Sequence, residues 1–178
     1  MVKRRTALDP RDAVARCVER CAARAWRLAA ALTADPAEAH DLVQQACLVL
    51  ARKAERVAEA EDPWPFFAGV LAHEARNARR KRRPATHEHP ATADPVDLRA
   101  LDPAQAAARA EDRARVDAAL AELPWAQREA VLLTQLGGLT QAEAAAQLGV
   151  PLKTLGSHVK RGLDRLRARL GASEAATV

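Results

Sequence analysis

Residues Thr140–Lys160 read TQAEAAAQLGVPLKTLGSHVK. Thr140 and Glu143 have the spacing of a capping box, in which a hydroxyl and a carboxylate each accept a backbone N–H left unpaired at a helix start. The helix that follows is short, with Ala144, Ala145 and Leu148 apolar, and Gly149 supplies the left-handed residue that ends it. Pro151 opens a second helix, because its missing N–H would have been unpaired there anyway. Ala145, Gly149 and Leu155 then occupy the three constrained places of a helix-turn-helix. A small residue lets the helices cross, a glycine turns the chain, and an apolar residue seats the second helix. Lys153, Thr154, Ser157, His158, Lys160 and Arg161 are left facing outward. These are cations and hydrogen-bond donors near the start of a presented helix, which is what reading a DNA major groove requires. A purely structural hairpin would not need that face to be both basic and hydrogen-bonding.

The inner face of the second helix is Leu152, Leu155, Val159, Leu163, Leu166 and Leu170, at spacings of 3, 4, 4, 3 and 4. Ahead of it, Val116 and Leu120 precede Leu123-Pro124, and another helix carries Val131, Leu132 and Leu136 up to the stop at Gly137-Gly138.

The composition of all 178 residues agrees with helices throughout: 49% apolar, rich in alanine, only 3% aromatic. Such sequence favours helix over sheet, and no strand-turn-strand alternation occurs. The expected fold is therefore all-α, two small helical domains joined by a flexible linker. Near the start, Val14, Val18, Cys21, Ala25, Leu28 and Leu32 recur at spacings of 4, 3, 4, 3 and 4, so a helix is expected over about 11–32. Asp35-Pro36-Ala37-Glu38 is a second helix start, leading inward-facing Leu42, Val43, Ala46, Val49, Leu50 and Val57. Asp62-Pro63 opens a third helix, through Phe66, Phe67, Val70, Leu71, Ala75 and Ala78.

The third helix ends in RNARRKRR, Arg76–Arg83, with six basic residues among eight. Two or three cations would complement the helix dipole; six repel one another unless an anion lies against them, so a phosphate backbone is the expected partner. Residues 84–103 then hold four of the ten prolines and carry one Lys/Arg against four Asp/Glu. They separate a basic segment 1–83 (17 against 11) from a milder one, 104–178 (10 against 8). The expected organisation is a domain over 10–83, a linker over 84–103 and a second domain over 104–170. His87 and His89, in the linker, are read as solvated.

At this point the chain resembles a family. LPWAQREAVLL and GGLTQAEAAAQLGVPLKTLGSHVKRGLDRLRARL look like the promoter-distal domain of bacterial RNA polymerase sigma factors of the extracytoplasmic-function type, within the sigma-70 superfamily. AEAHDLVQQACLVL, followed by the helix ending RNARRKRR, is similar to the same family's core-binding and promoter-melting domain. The resemblance implies a factor that binds core RNA polymerase and directs promoter recognition and melting. Asp41, Leu42 and Gln44, on the Asp-Leu-Val-Gln motif, and the adjoining Gln45 would dock the polymerase β′ clamp helices, and the C-terminal domain the β flap. His73, Arg76, Asn77, Arg79, Arg80, Lys81 and Arg83 would hold the proximal (−10) element. Lys153, Thr154, Ser157, His158, Lys160 and Arg161 would lie on the distal (−35) element. Phe66-Phe67 and His73 stand where the family usually has Trp-Leu and Asn. Gly156 replaces a usual Lys and costs the helix about 1 kcal/mol relative to Ala.

The implied partners are core polymerase, promoter DNA and an anti-sigma factor, with no cofactor, no metal and no membrane. A LuxR-type helix-turn-helix regulator is the nearest rival, and a sigma mimic acting by protein binding alone is another. The Asp-Leu-Val-Gln helix counts against the first and the arginine stretch against the second. No catalytic motif is present, neither a Gly-rich phosphate loop, His-Glu-x-x-His nor a nucleophile elbow, so no enzyme is expected. Cys17 and Cys21 are read as buried small hydrophobes and not half a metal site, and the odd count with Cys47 argues against a disulfide framework. Without a signal peptide or an apolar run of about 18 residues, a cytoplasmic protein is expected.

Overall fold

The computed structural model describes residues 9–33, 35–81 and 103–175. Among these, helices are the only regular structure. Arg83, His87, His89 and the rest of the linker up to Asp102 lie outside the described residues.

The N-terminal domain consists of α1 (Pro10–Thr33), α2 (Pro36–Arg52), α3 (Ala54–Glu59) and α4 (Trp64–Lys81). Asp35 caps α2 as its sequence requires: its carboxylate accepts the N–H of Ala37 at 2.8 Å and of Glu38 at 3.3 Å. The second helix does not run unbroken to Val57. Lys53 leaves the helical conformation (φ −115°, ψ 31°), its N–H shared between the carbonyls of Val49 and Leu50, and α3 restarts at a new angle to bury Val57. Asp62 caps α4 by accepting the Trp64 N–H at 3.0 Å. Leu28, Leu50, Phe67 and Leu71 form the fully buried centre, with the Trp64 ring edge-on to Phe67 at 5.9 Å. Cys17 faces this core more fully than Cys21 does; the α1 stripe is wider than its spacing alone suggests.

The C-terminal domain consists of α5 (Pro103–Ala121), α6 (Trp125–Val131), α7 (Gln141–Leu148) and α8 (Leu152–Ala175). A π turn at Leu132–Leu136 prolongs α6 and closes when the Gly137 N–H donates to the Leu132 carbonyl at 2.7 Å. The wider turn carries Leu136 off the apolar face, leaving it 39% exposed, although its spacing predicts an inward position. Leu152 is a second correction: it is 53% exposed, because the first turn of α8 projects past α7 before packing begins at Leu155. From there Leu155 and Val159 are buried and Leu163 and Leu166 pack at the margin. Arg169 of α8 pairs with Glu122 at the end of α5, at 3.0 Å.

The two domains are not held apart. Their buried residues form one continuous apolar cluster, and α4 crosses α7 so closely that a Cβ on Gly69 would collide with Gln147 Oε1 and stand 2.9 Å from its Cβ. Only glycine allows that approach.

Candidate nucleic-acid and polymerase interface

The helix-turn-helix is formed by α7 and α8. Both halves of the capping box are made: the Thr140 Oγ1 accepts the Glu143 N–H at 3.2 Å, and the Glu143 carboxylate accepts the Thr140 N–H at 2.8 Å. Gly149 turns the chain at φ 66°, a conformation any side chain would strain. The Pro151 carbonyl accepts the N–H groups of Thr154 and Leu155. Ala145 and Leu155 are buried at the crossing. Lys153, Ser157, Lys160 and Arg161 are exposed, while Thr154 and His158 are half-buried. The Ser157 hydroxyl donates to the Lys153 carbonyl at 2.9 Å, so toward a ligand it offers lone pairs. The Gln141 amide, which no motif in the sequence marks, lies over Gly156, 3.1 Å from where a Cβ would stand. The missing side chain makes room for a polar group arriving from α7.

The capping box gives a test of this local frame. Hydrogen bonds from Thr140 hold the Glu143 carboxyl below the usual carboxylate range. A carboxylate with a depressed folded pKa contributes stability above its ordinary pKa and loses it as pH falls through the folded one. Thr140→Ala should lower stability by about 1 kcal/mol near neutrality. In acid, where Glu143 is protonated in both proteins, the deficit should narrow; denaturant titrations of the two chains at neutral and acid pH would measure this.

On α4, His73, Arg79, Arg80 and Lys81 are exposed, and Arg76 and Asn77 are half-buried. The Arg80 guanidinium donates to Asn77 Oδ1 at 2.6 Å. Arg76 donates to Glu129 Oε2 at 2.7 Å, across the seam between the domains. Glu129 is only 3% exposed. Burial pushes its carboxyl above the usual range, and the hydrogen bond and charge of Arg76 pull the other way. Arg79 lies over the Trp125 ring, 5.3 Å from its centroid. Arg128 reaches back to donate to the Ala31 carbonyl, and its own burial lowers its pKa, offset in part by the Asp117 charge. Glu129, on the buried face of α6, carries no sequence signal of this role, because its partner Arg76 lies 53 residues away.

On α2, Asp41, Gln44 and Gln45 are exposed on one side, with Gln44 hydrogen-bonded to His40 at 2.8 Å. Leu42 belongs elsewhere: at 5% exposure it seats the helix in the core and offers a partner only its edge. A groove of about 410 Å³ separates α2 from α4, edged by Glu38, Asp41, Gln45, Glu74, Asn77 and Lys81. Leu48, 51% exposed, continues the Asp41–Gln44 face and gives it an apolar anchor that no sequence motif singles out.

The cysteine thiols are held neutral. Burial, reinforced by Cys21, pushes Cys17 up to about 12, and burial likewise raises Cys21 and Cys47. Among the described residues no group of three or more His, Cys, Asp or Glu is placed to hold a metal, and no helix is long and apolar enough to cross a membrane.

The geometry defines a two-domain helical DNA-binding protein in which a capped helix-turn-helix with a basic outer face packs against a cation-rich helix. Comparison with known proteins gives its family. The family described as "Sigma-70 region 2" matches residues 17–85, and "Sigma-70, region 4" matches residues 113–166. The ECF RNA polymerase sigma factor SigC of Mycobacterium tuberculosis is 33% identical over 150 residues, covering 80% of this chain and 75% of that one. SigE of Mycolicibacterium smegmatis is 30% identical over 165 residues, 90% of this chain and 62% of its own. Among solved structures, the sigma factor RpoE in complex with the anti-sigma factor NepR from Bartonella quintana shares the fold. Its TM-score is 0.63 at 23% identity, covering 90% of this chain and 96% of that one. The chain belongs to the ECF sigma factors of the sigma-70 family, whose function is to direct RNA polymerase in transcription initiation. The LuxR-type alternative is not favoured, since region 2 accounts for the N-terminal domain as well.

Proposed function

We propose that residues 10–83 dock core polymerase and hold the proximal promoter element, that 84–103 tether the domains, and that 104–170 read the distal element. The exposed face of α8, with Lys153, Ser157, Lys160 and Arg161 raised above a capped turn, is the observation that carries this reading. Arg and Lys side chains there supply phosphate attraction and donors for guanine, while Ser157 and Gln141 supply shorter-range selectivity. Thr154 and His158 flank them. On α4, His73, Arg76, Asn77, Arg79, Arg80 and Lys81 would grip the proximal element, with Arg83 continuing the series. Asp41, Gln44 and Gln45 meet the polymerase clamp helices around Leu48, and the C-terminal domain meets the β flap. The chain forms no bonds itself; polymerase does, in the cytoplasm. An anti-sigma factor is a further protein partner; the Bartonella sigma factor is solved in complex with one.

Two double substitutions test the assignments. Arg79→Ala with Arg80→Ala should weaken promoter binding by the polymerase-bound chain. It should also flatten the salt dependence by about 0.7–0.9 in log–log slope for each phosphate no longer neutralised; an unchanged slope removes α4 from the DNA interface. Asp41→Ala with Gln44→Ala should reduce core-polymerase affinity on the order of tenfold, about 1.4 kcal/mol. The melting behaviour should stay unaltered, as both side chains are exposed. Equal capture of core by both chains would place the docking face elsewhere.

A further inference from the structure

Lys153, Gly156 and Lys160 follow one another along α8 at spacings of 3 and 4, so they share one face of the helix. The two lysines are exposed on it, and the half-buried Gly156 between them brings no side chain. A group from the neighbouring helix fills that centre. Gln141, the first residue of α7, carries its Oε1 to 3.1 Å from where a Cβ on Gly156 would stand. A side chain on residue 156 would push the amide aside, so the glycine and the amide belong together. Gln141 is exposed, and among the described residues its amide has no hydrogen-bond partner.

The amide differs in kind from the exposed groups around it. Lys153, Lys160 and Arg161 only donate, and the Ser157 proton is committed to the Lys153 carbonyl. Gln141 holds a donor and an acceptor side by side. That pair matches the edge adenine shows in the major groove, where N7 accepts and the N6 amino group donates; a lysine would pair with guanine instead. We propose that Gln141 reads one adenine of the distal element through the opening Gly156 leaves in α8, its Nε2 donating to N7 and its Oε1 accepting from N6. The inference rests on the reading of α8 as the distal-element helix. Base recognition at this point passes from the second helix of the motif to the first. The Thr140–Glu143 capping box fixes the start of α7, and so acts as a positioning device for the amide.

The test uses core polymerase carrying the full chain, and promoter fragments in which each base pair of the distal element is changed in turn to the other three. With the unaltered chain, one position should favour adenine by about tenfold. Gln141→Ala should erase that preference and leave the preferences at other positions as they were. Gln141→Glu keeps the length of the side chain but only accepts, so at the same pair it should exchange adenine for cytosine, whose N4 donates. Both variants should unfold like the unaltered chain, because the side chain is exposed. Equal weakening on every fragment would make the amide a phosphate contact and overturn the proposal; so would unchanged preferences. The underlying reading is checked separately. Lys153→Ala with Lys160→Ala should flatten the salt dependence on all fragments alike, and an unchanged slope would take α8 off the DNA. Loss of that slope with no change from Gln141→Ala would retain α8 as the reader and remove only the amide.

Discussion

Phe67→Ala should cost about 3–5 kcal/mol, the range for removing a buried aromatic ring from a packed core. Phe67, on α4, is fully buried in the N-terminal core, and it braces Trp64 edge-on. Domains of this size are stable by about 5–15 kcal/mol, so the loss takes a large share of the total. Because Trp64 also donates to Gly137, the cavity should loosen the seam as well as the N-terminal core. Denaturant unfolding followed by tryptophan emission would show an earlier midpoint. A shift below about 1 kcal/mol would mean that the site collapses around the gap.

Leu155→Ala is the corresponding result for the other half. Leu155 has no exposed surface, and it is the first buried side chain of α8 beneath α7. Truncation should cost about 2–5 kcal/mol, and the cavity it leaves lies directly under the DNA-reading face. Distal-element binding should fall with stability, and lowering the temperature should recover part of both. Retained stability with abolished DNA binding would mean that Leu155 aims the helix more than it holds it. The neighbouring Leu152→Ala makes the control: at 53% exposure its removal should change stability by less than half of the Leu155 cost.

Much of this architecture is legible in the amino-acid order. Asp35, Asp62, Thr140 and Gly149 each fix a helix end through a local hydrogen bond or a local backbone conformation, so nearby residues suffice to identify them. Apolar spacing identifies the buried faces of α1, α4 and α8 for the same reason. Periodicity says which side is buried but not what covers it, and there its information stops. Leu152 and Leu136 continue an apolar stripe, yet one projects beyond its neighbour and the other is turned out by the π turn. Lys53 interrupts α2 without a proline or glycine to announce it. The residues that matter for the site divide in the same way. Lys153, Ser157, Lys160 and Arg161 are visible as an outward face. Arg24, Glu129 and Trp125 are not, because each finds its partner in a separate part of the chain.

The π turn at Leu132–Leu136 has a consequence for how such chains can diverge. It amounts to one residue more than an α-helix would use, and each residue advances a helix by about 100°. Deleting one position there would let α6 run on as an ordinary helix with nearly the same rotational phase beyond it, because the wide turn takes up the extra residue within a single turn. The change would be local, at the outward-turned Leu136 and at the Gly137 carbonyl that Arg24 and Trp64 share. A single-codon change in length is therefore absorbed here without moving either reading surface, and descendants differing by one codon would differ first in this turn and not in their promoters.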